Sequence, residues 1–186
     1  MTAAPTSQPA AVRPADLPDA AAIAAVYAPY VSDGLATFEV EPPDAAEIAG
    51  RMLRAPRLPW LVAERDGEVV GYAYAGPHGS RPGYRWSVDV TVYLTAVEQG
   101  RGTAGALYGR LLPELRRLGY VSAYAGIALP NPGSVGLHES LGFTAVGVYR
   151  QAGFKLGAWL DVGWWQLPLV TPPADPAEPQ AWAPHA

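Results

Sequence analysis

Apolar and polar positions alternate most regularly between Trp86 and Leu94. Trp86, Val88, Val90 and Val92 fall on one side, and Ser87, Asp89, Thr91 and Tyr93 on the other. A period of two predicts a strand with distinct faces. Trp60 to Glu64 and Val69 to Ala75 are two more strands, and the Asp66-Gly67 pair between them suits a tight hairpin turn. The period changes between Thr103 and Arg117, where Leu107, Leu111, Leu115 and then Leu118 form the buried stripe of a helix that Pro113 is expected to bend. Asp16 to Tyr30 predicts another helix, with Asp16 as cap, Pro18 in the first turn and Ile23, Val26 and Tyr27 on one face; Pro29 weakens its end. Asp44-Ala45-Ala46-Glu47 has capping-box spacing and predicts a helix to about Arg54. Asn131 caps a short helix to Leu141, with Pro132 at its first position. Val12, Tyr120 to Ala128 and Ala158 to Val170 supply further strands, whereas Gly147 to Gly157 reads as turns and a short strand. This order of elements describes one mixed α/β domain.

Composition sets the boundaries. The 186 residues are 49% hydrophobic, enough for one domain, here 11–170. Residues 1–10 are expected to be flexible. Residues 171–186 hold Pro172, Pro173, Pro176, Pro179 and Pro184, so a disordered tail is expected, with Trp182 a candidate for docking. A formal net charge of −4 argues against a nucleic-acid partner. The absence of cysteine excludes disulfides, a thiolate nucleophile and cysteine metal sites. No His-x-His or carboxylate cluster suggests another metal site. No apolar run approaches the ~18 residues of a membrane span, and the start lacks a signal-peptide pattern, so a cytoplasmic protein without a membrane partner is expected.

The chemistry concentrates at Gln99-Gly100-Arg101-Gly102-Thr103-Ala104, between a strand and a helix. The first N–H groups of a helix have no internal partners and attract phosphate oxygens. Glycine allows the unusual backbone angles such a turn needs, and Arg101 can add a charged contact. A ligand-free glycine loop has the same composition. The Gly-Lys-Ser/Thr of a Walker loop is absent, and the spacing differs from the dinucleotide fingerprint.

This turn resembles the pyrophosphate motif of the GNAT acetyltransferases, Gln/Arg-x-x-Gly-x-Gly/Ala. Other segments are similar to the phosphinothricin N-acetyltransferase branch: Thr37-Phe38-Glu39, Pro59 to Glu64, Gly71 to Ala75, Tyr84-Arg85-Trp86, Leu129-Pro130-Asn131, Ser134-Val135, Leu137-His138-Glu139, Trp159, Asp161-Val162 and Trp165-Gln166. Together they cover about Val12 to Leu169. The resemblance implies a central, mostly antiparallel twisted sheet with a splayed parallel pair, flanked by helices. It also implies acetyl-CoA as cofactor, with its arm along Val92, Tyr93 and Leu94 and its pyrophosphate on Gln99 to Ala104. Asn131 and Ser134 would contact it near the next helix.

The implied reaction is direct acetyl transfer to the amino group of a small amino-acid-like molecule. Asp89 stands where the family usually has Glu, and it is the first candidate for the base. His138 is the second. Tyr93 could orient the thioester or the departing sulfur. Arg81 and Arg85 are available for a substrate carboxylate, Arg81 matching the family's Arg-x-x-Tyr spacing; many members carry another Arg where this chain has Gly79. Phe38, Glu39 and Trp86 could shape the pocket. His78 and His185 have no comparable setting. A homodimer is expected, helped by the C-terminal strand. A GNAT enzyme acting on a protein N-terminus or a polyamine, and a non-catalytic acetyl-CoA-binding protein, remain as alternatives.

Overall fold

Alternating strands with one aromatic face assemble into a single seven-stranded sheet in a computed structural model that describes residues 9–54 and 57–184. The strands are β1 (Ala11–Pro14), β2 (Trp60–Arg65), β3 (Glu68–Pro77), β4 (Ser87–Leu94), β5 (Ser122–Leu129), β6 (Thr144–Lys155) and β7 (Ala158–Pro168). Their order is β1-β2-β3-β4-β5-β7-β6, and every pair is antiparallel except β4 with β5. Asp66 and Gly67 both take positive φ in the β2–β3 turn, as a two-residue hairpin requires.

Among the described residues, four α-helices flank the sheet: α1 (Ala20–Ser32), α2 (Ala45–Met52), α3 (Thr103–Arg117) and α4 (Pro132–Ser140). Tyr27 and Tyr30 of α1 lay their rings against Tyr93 of β4. Leu107, Leu111, Leu115 and Leu118 are buried as the helical stripe predicts. The Asp44 and Asn131 caps form as expected, accepting from the backbone N–H groups of Glu47 and Ser134. Asp19 organises the entry to α1, since its carboxylate accepts from Arg13 and from the Asp16 N–H.

Two expectations are corrected. Residues 144–155 form a long strand rather than turns and a short one. Bulges at Ala145/Gly147 and Tyr149/Gly153 break its alternation, which hides it from a period-two pattern. Asp161 clamps the second bulge by accepting from Arg150 and from the Gln151 N–H. The described part of the proline-rich tail, mostly exposed, is nonetheless tied down near its end. Trp182 is buried, its N–H donates to the Arg57 carbonyl, and the Gln180 N–H donates to Leu118. Proline forbids helix and central strand but not an extended strap held by a few backbone hydrogen bonds and one buried ring. Most of the expected flexible N-terminus, and His185, lie outside the described residues.

Candidate active site

β4 and β5 pair only at Ser87–Asp89 with Ser122–Tyr124. Each strand is bonded along its length to its outer neighbour, β4 to β3 and β5 to β7. The inner edges therefore separate beyond Asp89, and Ala125, Gly126 and Ala128 are too small to close the gap. Their backbone groups must find partners elsewhere. A cavity of about 600 Å³ occupies this opening, lined by Thr91, Val92, Tyr93 and Leu94 on one side and Ala125, Gly126 and Ile127 on the other. That volume lies within the usual range for small-molecule sites.

The cavity ends at the glycine turn. Gly100 and Gly102 take φ of 75° and 82°, in the left-handed region. A Cβ on either would meet nothing within 4 Å, so backbone handedness rather than crowding calls for glycine there. Gly102 precedes α3 with no side chain capping the helix, so the first N–H groups of α3 remain free for an anion. Gln99, Gly100, Gly102, Thr103, Ala104 and Gly105 all line the cavity, whereas Arg101 is exposed and outside its lining. A small, anion-seeking cradle at the end of an extended slot fits a phosphorylated cofactor with a long arm.

Glu98 and Arg65, not picked out in the sequence, hold this turn from behind. Glu98 is 1% exposed; it accepts from Arg65 at 2.7 Å and from the Thr103 hydroxyl at 2.5 Å. Arg65 keeps the Glu98 carboxyl below its ordinary pKa. Thr103 thus offers a ligand only its backbone. Gln99 donates to Tyr30 Oη, which donates to the Leu94 carbonyl, fastening the turn to the end of β4.

Asn131, Ser134 and His138 line the cavity from α4. His138 is 3% exposed, with Nδ1 2.8 Å from the Ser134 carbonyl and Nε2 3.1 Å from Tyr108 Oη. Nδ1 must donate to that carbonyl, so Nε2 accepts from Tyr108. Burial lowers its pKa and keeps it neutral. Both ring nitrogens are thus engaged within the fold, although His138 still lines the cavity. Burial, then the neighbouring tyrosines, raises the Tyr93 pKa, so this phenol stays protonated and suits hydrogen-bond donation rather than proton removal.

At the fork between β4 and β5, Asp89 Oδ1 lies 2.6 Å from His78 Nδ1. Burial raises the Asp89 carboxyl above its ordinary range, and the bond to His78 opposes that shift. The side chains of His78 and Asp89 are both partly exposed. A second hollow of about 250 Å³ begins beside them, lined by Arg51, Arg54, Trp60, Tyr74, Gly76 and Pro77.

The expected substrate residues separate into two groups. Phe38 lies against Gly153, and Glu39 forms a double hydrogen bond with Arg51 and accepts from Tyr27 Oη. Lys155, unmarked in the sequence, is buried and donates to the Tyr30 and Thr37 carbonyls, so it docks this segment on β6. Arg81 is exposed, with no ion pair among the described residues. Arg85 and Trp86 are turned to the tail. Arg85 pairs with Glu178, and Trp86 Nε1 donates to the Ala177 carbonyl at 2.8 Å.

The family described as "Acetyltransferase (GNAT) domain" matches residues 12–164. The chain is 42% identical to a phosphinothricin N-acetyltransferase of Streptomyces viridochromogenes, over 94% of this chain and 97% of that protein. It is 38% identical to an L-methionine sulfoximine/L-methionine sulfone acetyltransferase of Salmonella typhimurium, over 85% of this chain and 94% of that one. The crystal structure of a GNAT superfamily phosphinothricin acetyltransferase from Sinorhizobium meliloti in complex with AcCoA superposes with a TM-score of 0.84 at 34% identity, covering 91% of this chain and 96% of that one.

Proposed function

Because the chain belongs to the GNAT acetyltransferase family, we propose that it acetylates the α-amino group of a small amino acid of the phosphinothricin, methionine sulfone or methionine sulfoximine class. It is an acetyl-CoA-dependent N-acetyltransferase. The observation that carries the reading is the slot between β4 and β5, which opens beyond the Asp89–Tyr124 pair and reaches the glycine turn.

When bound, acetyl-CoA supplies a thioester that an amine can attack directly. The free edge of β4 at Val92, Tyr93 and Leu94 orients an amide-bearing arm by backbone pairing. N–H groups of the turn from Gln99 to Ala104 neutralise pyrophosphate charge, with Arg101 at its outer side. Asn131 and Ser134 close the α4 side. Tyr93, a protonated phenol packed against Tyr27 and Tyr30, would offer its hydroxyl to the thioester. Asp89 lies on the route by which the ammonium proton of the acceptor leaves. Phe38, Glu39 and Arg81, which has no ion pair among the described residues, bound the acceptor, whose carboxylate needs a positive partner.

The protein is a homodimer in this reading. Val146, Val148, Tyr149, Phe154, Leu156 and Trp159 expose an apolar surface on the β6–β7 hairpin that a second copy would cover. Sedimentation should give twice the chain mass, and a Tyr149→Asp/Trp159→Asp variant should give the single mass. A cytoplasmic location suits the dependence on acetyl-CoA, and cell fractionation checks it. Among the described residues no helix is long and apolar enough to cross a membrane.

The functional test is thiol release from acetyl-CoA across phosphinothricin, L-methionine sulfone, L-methionine sulfoximine, common amino acids, polyamines and peptides. The highest kcat/KM is expected for an amino-acid analogue. Turnover confined to polyamines or peptide N-termini, or heat stabilisation by acetyl-CoA without any turnover, would overturn the proposal.

A further inference from the structure

We infer that His78 is the catalytic proton acceptor of this enzyme, and that Asp89 acts through it as a positioning residue. The inference rests on the acetyltransferase reading above and assigns its proton route.

The hairpin of β3 and β4 brings the pair together. Gly76 stands opposite Asp89 and Pro77 opposite Val88, and the His78 N–H continues the ladder to the Ser87 carbonyl. His78 therefore shares a face with Asp89 on the neighbouring strand, diagonal to it. Its ring is fixed on three sides. It stacks on Tyr124 at 4.1 Å between centroids and meets Trp164 and Tyr84 edge-on at 5.8 and 5.9 Å. Asp89 takes Nδ1 at 2.6 Å. Nε2 has no hydrogen-bond partner among the described residues, and the side chain is 25% exposed.

Position favours the same assignment. Asp89 and Tyr124 form the last residue pair before β4 and β5 part, so the ring stands at the mouth of the slot. A Cβ built on Gly76, opposite Asp89, would meet nothing within 4 Å, and the hollow there carries Arg51 and Arg54. A small acceptor has space there, and the guanidinium groups of Arg51 and Arg54 already face the carboxylates of Glu39 and Glu47. The Trp164 ring crosses the face of Gly126 in the slot wall, and its buried Nε1 has no hydrogen-bond partner among the described residues.

The chemistry follows from the hydrogen bond. A carboxylate at Nδ1 fixes the tautomer with the proton on that nitrogen and leaves the Nε2 lone pair outward. Asp89 is one methylene shorter than Glu and has an oxygen committed to the ring; the imidazole carries its basicity outward. An ammonium acceptor gives one proton to Nε2, and the imidazolium is stabilised by Asp89. The nitrogen lone pair then forms the C–N bond to the thioester carbon. The C–S bond breaks and its electron pair leaves with sulfur. The second proton lost from nitrogen ends on sulfur as the thiol, and Nε2 releases its proton to solvent. The titratable groups facing the ring are Asp89 from β4, Tyr124 from β5 and Tyr84 from the preceding turn; Trp164 from β7 is neutral.

The test compares kcat/KM for the best acceptor against pH in the wild type, His78→Phe, His78→Gln and Asp89→Asn, with acetyl-CoA heat stabilisation measured on each. His78→Phe keeps the aromatic stack and His78→Gln keeps polarity, so at least one variant should retain the acetyl-CoA response. In that variant kcat/KM should fall about 10²-fold or more, and the acid limb of the wild-type profile should disappear. Asp89→Asn should lose less and keep an acid limb. Near-wild-type kcat/KM with the limb intact in both His78 variants, and its loss only in Asp89→Asn, would make Asp89 the direct base and overturn the inference. A wild type without turnover on any amine would instead overturn the acetyltransferase reading beneath it.

Discussion

Gly102 holds a left-handed backbone at the entrance to α3, and the orientation of the first helical N–H groups depends on it. An L-residue in that conformation costs roughly 1–2 kcal/mol. Gly102→Ala should therefore shift the turn and raise KM for acetyl-CoA about tenfold, since ~1.4 kcal/mol corresponds to a factor of ten. The acceptor KM at saturating acetyl-CoA should change little. Equal effects on both constants would show that the turn does not serve the cofactor alone. The glycines were legible because a positive φ is a local demand. The charge behind them was not: Glu98 and Arg65 are 33 residues apart, and the ordinary polarity of either gives no sign of burial. His138 shows the opposite case. Its residue type suggested a base, but Ser134 and Tyr108 occupy both of its nitrogens in the folded chain.

The elements around the slot act by what they leave unpaired. β4 and β5 each satisfy one edge completely, and the opening between them is the site. Across the sheet, Lys155 ties the segment after α1 to β6 through the Tyr30 and Thr37 carbonyls. Burial lowers its pKa, while the charge of Glu39 opposes the shift. Lys155→Met should release Phe38 and Glu39 from their positions. Hydrogen bonds to a charged group are worth about 1.5–3 kcal/mol each, so kcat/KM for the acceptor should fall tenfold or more while KM for acetyl-CoA stays within about twofold. A parallel rise in both KM values would sink the claim that this segment serves the acceptor. The bounds of β2, β4 and α3 were close to those expected from their periodicity. β6 was not, because a bulge removes the alternation that marks a strand.

At the scale of the whole molecule, the tail returns across the domain. Its Trp182 packs near Arg57, while Ala177 and Glu178 engage Trp86 and Arg85 before β4. Trp182 is 5% exposed and joins the main core. Trp182→Ala should destabilise the fold by about 3 kcal/mol, the lower end for a buried aromatic truncated to alanine. Urea unfolding followed by circular dichroism measures this, and a change below about 0.5 kcal/mol, the scale of ordinary surface substitutions, would mean that the strap is not part of the stable core. The same loss should loosen Arg85 and Trp86.

Local physics in the sequence determined the hairpin at Asp66-Gly67, the caps at Asp44 and Asn131, the helix of Leu107 and Leu111, and the glycine turn that points to a phosphorylated cofactor. Each depends on residues within a few positions of one another. Tertiary structure alone decided the depth of the slot, the charge behind the turn, the packing of the tail and the partner of Asp89. His78 lies 11 residues from that carboxylate, across a glycine-rich connection whose register no periodicity reveals. Only the closed ladder of β3 and β4, continued to the His78 N–H, puts imidazole and carboxylate on one face within hydrogen-bond reach.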